Sequence, residues 1–173
     1  MSAGGLVTAL RPLMERGEGA WVGWDGGVDE TPDEIEGLAT TLEPVSLTRG
    51  EVQAYYHGFS NRTIWPLFHD LVGAPVFDRS WWEAYERVNE RFAAVVQKAA
   101  DAHQCDLLWV QDYHLMLVPE MIREEVPDAR IGFFLHVPFP ATDVFRLLPW
   151  RAEILEGLLG ADLVGFHTSS YSR

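Results

Sequence analysis

Three short apolar runs dominate the second half of the chain: Asp106-Leu-Leu-Trp-Val-Gln111, Ile131-Gly-Phe-Phe-Leu-His-Val137 and Asp162-Leu-Val-Gly-Phe-His167. Apolar runs of this length read as strands buried on both faces. A helical pattern from Leu117 to Glu125, closed by Pro127-Asp128, separates the first from the second, and helical pieces across Ala141 to Leu159 separate the second from the third. Strand, helix, strand, helix, strand at this spacing predicts right-handed βαβ units. The expected class is therefore α/β, a parallel sheet flanked by helices.

Upstream, Ser80 is placed to cap the longest helix, Trp81 to about His103. Its apolar stripe holds Trp81, Trp82, Tyr85, Val88, Phe92, Val95, Val96 and Ala99, at the 3.6-residue period. Thr48 with Glu51 three residues on forms a capping box for a helix from about Gly50, carrying Val52, Tyr55, Tyr56 and Phe59 and breaking near Asn61. Ala20–Trp24 reads as a strand ending in the turn Asp25-Gly26-Gly27, then an acidic linker over Asp29–Glu36 and a second short strand around Glu43–Leu47. Leu6–Arg16 reads as an amphipathic helix opened by Gly4-Gly5. Such a glycine pair ordinarily follows a strand, where backbone N–H groups meet a phosphate. No strand precedes it, so either that element is missing or the pair is only a loop.

At 173 residues the chain fits one domain. Its formal net charge of −13 and the absence of a Lys/Arg-rich run argue against nucleic-acid and anionic-membrane binding. No apolar run approaches the ~20 residues needed to cross a bilayer, and no signal peptide opens the sequence. Cys105, the single cysteine, excludes an intrachain disulfide and reads as a buried small hydrophobe. The expectation is a cytoplasmic protein.

In an open parallel sheet, ligands bind beyond the carboxyl ends of the strands. The three runs end in Gln111-Asp112-Tyr113-His114, His136-Val137-Pro138 and His167-Thr168, so His and Asp gather on one rim. An Asp there also serves as a helix cap, and a His there is often simply solvated. No metal-ligand spacing, no G-x-S-x-G elbow and no G-x-G-x-x-G accompanies them. The second cluster is Tyr55-Tyr56-His57-Gly58-Phe59-Ser60-Asn61-Arg62-Thr63-Ile64-Trp65-Pro66. On spacing alone it reads as a helix end packing aromatics on the core. The alternative is sugar stacking on aromatic faces, with phenol, indole and guanidinium donating to phosphate.

These stretches resemble the trehalose-6-phosphate synthases, retaining glucosyltransferases of the GT-B arrangement. The resemblance rests on Tyr55–Pro66, Trp109–Leu115 and Ile131–Pro140, with Ser2–Leu6, Trp21–Trp24 and Asp162–Thr168 in family order. It implies a Rossmann-like N-terminal domain, partial over 1–173 and lacking a C-terminal donor domain. It also implies transfer of glucose from UDP-glucose to glucose-6-phosphate with no cofactor and no obligatory metal. By the same resemblance, Tyr56 and Trp65 hold the acceptor phosphate, Asp112 bonds the acceptor sugar and His136 lies against the transferred glucose. Gly5 approaches the donor diphosphate, Trp24 lines the acceptor pocket, and Arg62 and His114 lie inside the motifs without a firm role.

The family's first strand, which ends in an acceptor-clamping Arg, has no counterpart here, and neither does the nucleotide-sugar half. The expectation is that the chain by itself transfers no glucose, and that a central sheet position stands open to another chain, a homo-oligomer included. A glucosylglycerol-phosphate synthase, a non-catalytic binding module and, more distantly, a metal-dependent hydrolase are the competing readings.

Overall fold

The computed structural model describes residues 12, 19–28, 40–71 and 73–172. The expected Leu6–Arg16 helix (Pro12 apart), the glycine pair with Gly5 and the acidic linker lie outside them. Two parallel β-sheets flanked by helices carry the fold. β1 (Ala20–Gly23) pairs with β2 (Thr41–Pro44), in register Ala20 to Thr41. β3 (Leu107–Gln111), β4 (Arg130–Leu135) and β5 (Leu163–Phe166) form the second sheet in that order, with Leu108 opposite Ile131 and Phe133 opposite Val164. The βαβ pattern thus stands, with β4 and β5 ending earlier than the apolar runs do.

The strands depart from the two-sided burial expected of them. β4 alternates, burying Ile131, Phe133 and Leu135 on one face. In β3 only Val110 is fully buried, while Leu107 and Trp109 are 58% and 51% exposed. Among the described residues β1 pairs only with β2 and β3 only with β4, so each keeps one free edge, and residues of both strands line the same cavity.

A continuous helical segment starts as α1 (Arg49–Glu51), widens to a π-helix over Val52–Ile64 and returns to α winding in α2 (Trp65–Phe68). The expected break at Asn61 does not occur. The Asn61 amide oxygen accepts from the Tyr113 hydroxyl at 3.1 Å rather than capping its own backbone. The widening suits Pro66, which has no N–H for the Arg62 carbonyl. That carbonyl instead accepts from Val76 N at 2.9 Å, and the Thr63 hydroxyl donates to the Val76 carbonyl. The exposed positions Gln53, His57 and Arg62 recur every four to five residues, as winding wider than α requires. Gly58 lets this segment meet the next helix: a Cβ there would lie 2.7 Å from the Trp81 ring.

That next helix, α3 (Arg79–His103), is the central beam, packing on the π segment, on β1 and on α4 (Val118–Glu125). Its cap is Asp78, not Ser80. The Asp78 carboxylate accepts from Ser80 N at 2.8 Å and from the Ser80 hydroxyl at 2.6 Å, and a carboxylate accepts more strongly than the serine it displaces. α5 (Thr142–Phe145) and α6 (Arg151–Leu159) complete the second layer, and a 3₁₀ turn follows at Ser169–Ser172. One core joins Phe59, Leu67, Phe68, Tyr85, Val88, Met116, Ile122, Phe133, Leu135 and Ile154.

The capping box at Thr48 forms as the sequence predicts. Glu51 additionally takes a bidentate pair from Arg91 of α3, at 2.6 and 2.9 Å, fastening the start of the helical segment to the beam. This Arg91 pair, chiefly, holds the Glu51 carboxyl down from 4.5 to about 2, against a smaller opposing effect of burial. A carboxyl depressed on folding stabilises the protein above its unfolded value and loses that contribution as pH falls through its folded value. In urea titrations from pH 7 down to pH 2, the stability advantage of wild type over Glu51→Gln should be full above about pH 5 and shrink steadily below about pH 4.5. A difference independent of pH would contradict the ion pair.

Candidate active site

The site grows from the turn that ends β3. Asp112 N donates to the Phe134 carbonyl at 2.8 Å, closing the ladder, and the chain turns with Asp112 at φ 72°. A left-handed conformation strains most L residues, and Asp is among the few that tolerate it by bonding locally. Here Asp112 Oδ1 accepts from Tyr113 N at 2.9 Å and from His136 N, beyond β4, at 3.2 Å. One carboxylate oxygen thus ties two strand ends together, and Oδ2 has no hydrogen bond from a described residue.

The turn that follows is held from beneath by α3. The Tyr85 hydroxyl donates to the Tyr113 carbonyl at 2.8 Å and accepts from Met116 N at 3.0 Å. The Asn89 amide donates to the Tyr85 carbonyl at 2.9 Å and the His114 carbonyl at 3.1 Å, while its oxygen accepts from Leu117 N at 3.2 Å. The Tyr55 hydroxyl donates to the His114 carbonyl at 3.2 Å. Burial pushes the Tyr55, Tyr85 and Tyr113 phenols well up, so all three remain neutral donors.

Above this base the rings of Tyr113, His114 and Tyr56 stack. Tyr113 and His114 centroids are 4.0 Å apart, His114 and Tyr56 5.5 Å apart with planes 14° from parallel, and Trp24 meets Tyr56 edge-on at 5.2 Å. The Trp24 indole N–H donates to the Gly27 carbonyl at 2.7 Å, fixing that ring at the end of β1. Burial lowers His114 to about 4, against a smaller upward pull from Asp112, so its ring is neutral. His136 Nε2 lies 2.8 Å from Gln111 Oε1, an acceptor, so Nε2 carries the hydrogen. Burial lowers His136 as well, with the Asp112 carboxylate opposing and the His167 ring, 5.5 Å away, adding to the fall.

Trp24, Tyr56, Asp112, Gln111 and His114 line one cavity of about 370 Å³ between β1, β3 and α3. Cys105 lines it too and is half-buried, less than its sequence context suggested. His136 joins the cluster through Asp112 and Gln111. Trp65 and Arg62 do not line the cavity. The Trp65 ring stacks on His69 at 4.1 Å, and the Arg62 guanidinium sits 5.4 Å from the Trp81 ring centroid. Gly5 lies outside the described residues. Among the described residues no three His, Cys, Asp or Glu side chains are grouped to hold a metal, and no helix is long and apolar enough to cross a membrane.

A family model, glycosyltransferase family 20, matches residues 1–173. The chain belongs to glycosyltransferase family 20. It is 55% identical over 166 residues to a trehalose-6-phosphate synthase of Mycobacterium sp. (strain KMS), covering 96% of this chain and 34% of that protein. The chain thus spans about a third of that relative's length. A Burkholderia xenovorans α,α-trehalose-phosphate synthase (UDP-forming), solved in complex with glucose-6-phosphate, superposes with a TM-score of 0.87 at 36% identity, over 99% of this chain and 38% of that one. An E. coli structure bound with UDP-2-fluoro glucose gives 0.85 at 33% identity, over 99% and 38%. The α/β class expected from the apolar runs is the class of this family 20 chain.

Tyr85 and Asn89 are the functional supports that sequence reasoning missed. The available signal was Asn89 itself, an amide four residues after Tyr85 on the buried stripe of a long helix. Replacing it by leucine keeps the volume but strands buried backbone groups of the turn. Asn89→Leu should cost about 3 kcal/mol in chemical denaturation, while Glu90→Gln, on the exposed face, should stay within about 0.5 kcal/mol. A near-neutral Asn89→Leu would remove the buried amide from this account.

Proposed function

We propose that the chain is the acceptor-binding, Rossmann-like unit of a UDP-forming trehalose-6-phosphate synthase of the GT-B arrangement. A glucosyl group then passes from UDP-glucose to glucose-6-phosphate with retention. The observation that carries the reading is that Trp24, Tyr56 and Asp112, from three separated stretches, line one cavity at the carboxyl ends of β1 and β3. An aromatic wall for a sugar face, a phenol for a phosphate and a carboxylate for sugar hydroxyls suit a hexose phosphate. The Burkholderia relative that binds glucose-6-phosphate shares this fold over nearly the whole chain.

In this reading Asp112, its Oδ1 occupied by two backbone amides, offers Oδ2 to the acceptor sugar and orients the attacking hydroxyl. Tyr56 and Trp65 receive the phosphate, with Arg62 nearby in sequence, and Trp24 walls the pocket. His136 faces the transferred glucose, and Gly5 meets the donor diphosphate. The acceptor oxygen bonds to the anomeric carbon as its bond to UDP breaks, and the departing phosphate oxygen takes the acceptor's proton. No side-chain nucleophile is required, and the rate comes from positioning and from stabilising the leaving diphosphate. The reaction belongs in the cytoplasm, and the remaining contacts to the donor come from residues outside this chain.

The test is UDP release by the full-length parent protein, supplied with UDP-glucose and either glucose-6-phosphate or glycerol-3-phosphate. Turnover should require glucose-6-phosphate, and Asp112→Ala should lower kcat/KM by about 100-fold or more. Turnover with glycerol-3-phosphate instead, or no turnover at all, overturns the proposal. The 173-residue chain alone should release no UDP; if it did, the donor would have to bind within it.

A further inference from the structure

The Tyr56 hydroxyl makes no hydrogen bond to a described residue, so packing sets where it points, and beside the core its contacts are with rings. Those contacts are the His114 face at 5.5 Å and the Trp24 and His57 edges, each at 5.2 Å. Of the three, only His114 lies parallel to Tyr56 and dictates its plane. His114 is itself held by neighbours other than Tyr56. The Tyr113 ring lies 4.0 Å from it, tilted by 32°, Tyr55 stands against it at 6.4 Å, and its carbonyl accepts from both Tyr55 and Asn89. Tyr113 is in turn anchored through its hydroxyl to Asn61, on the helical segment that carries Tyr56. The stack therefore spans from the β3 turn to the π-helix and closes on itself.

The His114 imidazole has a second peculiarity. Its Nε2 is buried and has no hydrogen-bond partner among the described residues. A buried polar atom without a hydrogen bond is unfavourable, and because no bond from Nε2 fixes the ring, its orientation is left to the rings packed on it.

We infer that His114 is a positioning residue: its ring, packed against Tyr113 and parallel to Tyr56, sets the plane in which Tyr56 presents its hydroxyl to a phosphate-bearing ligand. The flatness of the side chain does this, not its nitrogens. The ligand class rests on the function proposed above; the placement of Tyr56 does not. A purely structural role for His114 predicts a change in stability without a selective change at Tyr56. A positioning role predicts that a flat ring without nitrogens rescues what a small side chain loses.

The experiment uses the whole chain with ¹³C-labelled tyrosine, the Tyr56 ring signals being assigned by Tyr56→Phe, and compares wild type with His114→Ala and His114→Phe. The share of the ring-current displacement of the Tyr56 ring protons that His114 supplies should be lost in His114→Ala and persist in His114→Phe, the Trp24 and His57 shares remaining in both. Titration with glucose-6-phosphate, and with inorganic phosphate as the minimal probe, should show affinity about tenfold weaker in the alanine variant and within about twofold of wild type in the phenylalanine variant. Unchanged Tyr56 signals in His114→Ala overturn the inference, as does a His114→Phe variant as impaired as the alanine one. His114→Met, which fills the space without a flat ring, makes the same comparison should the alanine variant unfold. If wild type binds neither probe while the ring signals follow the expected pattern, the proposed function fails and the positioning of Tyr56 stands.

Discussion

A buried pair of polar side chains on α3 is the constraint from which the site follows. Tyr85 and Asn89 sit one turn apart on the apolar face of a 25-residue helix, and both are fully buried. Burying a hydroxyl and an amide is unfavourable unless every donor and acceptor is used. Here the turn after β3 uses them: Tyr113 and His114 offer carbonyls, Met116 and Leu117 offer N–H groups. The arrangement solves two problems at once. An irregular turn running inside the molecule needs partners for its backbone, and the helix supplies them at fixed positions. Asp112 and His114 inherit their placement from this, since they flank and belong to the fastened stretch.

The π-wound segment is the second device, and it answers the first from the opposite side. At its carboxyl end it meets Pro66, where the Arg62 carbonyl is handed to Val76. That winding lets Tyr55 reach the His114 carbonyl, Asn61 reach the Tyr113 hydroxyl and Tyr56 stack on His114. Gly58 permits the close approach to Trp81 on which this geometry relies. Single π turns are often found at functional positions, and here thirteen residues keep that winding.

How much of this the sequence disclosed depends on whether a feature is local. The capping box at Thr48 and Glu51 is local, and it forms as read. So do the βαβ alternation and the gathering of Asp112, His136 and His167 on one rim, because strand ends and short apolar runs are set by neighbours in sequence. Asn61 was misread because its partner, Tyr113, is 52 positions away. Ser80 was misread as a cap because a carboxylate two residues earlier competes better for the same amides. Two-sided burial of β3 was misread because it depends on what stands beside the strand, which no window of sequence contains. Within the candidate site, Trp24, Tyr56, Asp112 and His136 come together, while Trp65 and Arg62 make ring contacts of their own.

The same long-range dependence explains the character of the cavity. Its floor is a stripe of α3 (Phe92, Val96, Ala99 and Ala100), and its walls are residues of β1 and β3. Along most of its length it offers apolar side chains, which favour whatever removes them from water. Only at the carboxyl end of the strands does it turn polar, where Gln111, Asp112 and His114 meet Tyr56 and Trp24. At that end the polar groups are held by backbone amides, the buried Asn89 and stacked rings. They therefore stand in place before a ligand arrives, which is where preorganised electrostatics has its largest effect.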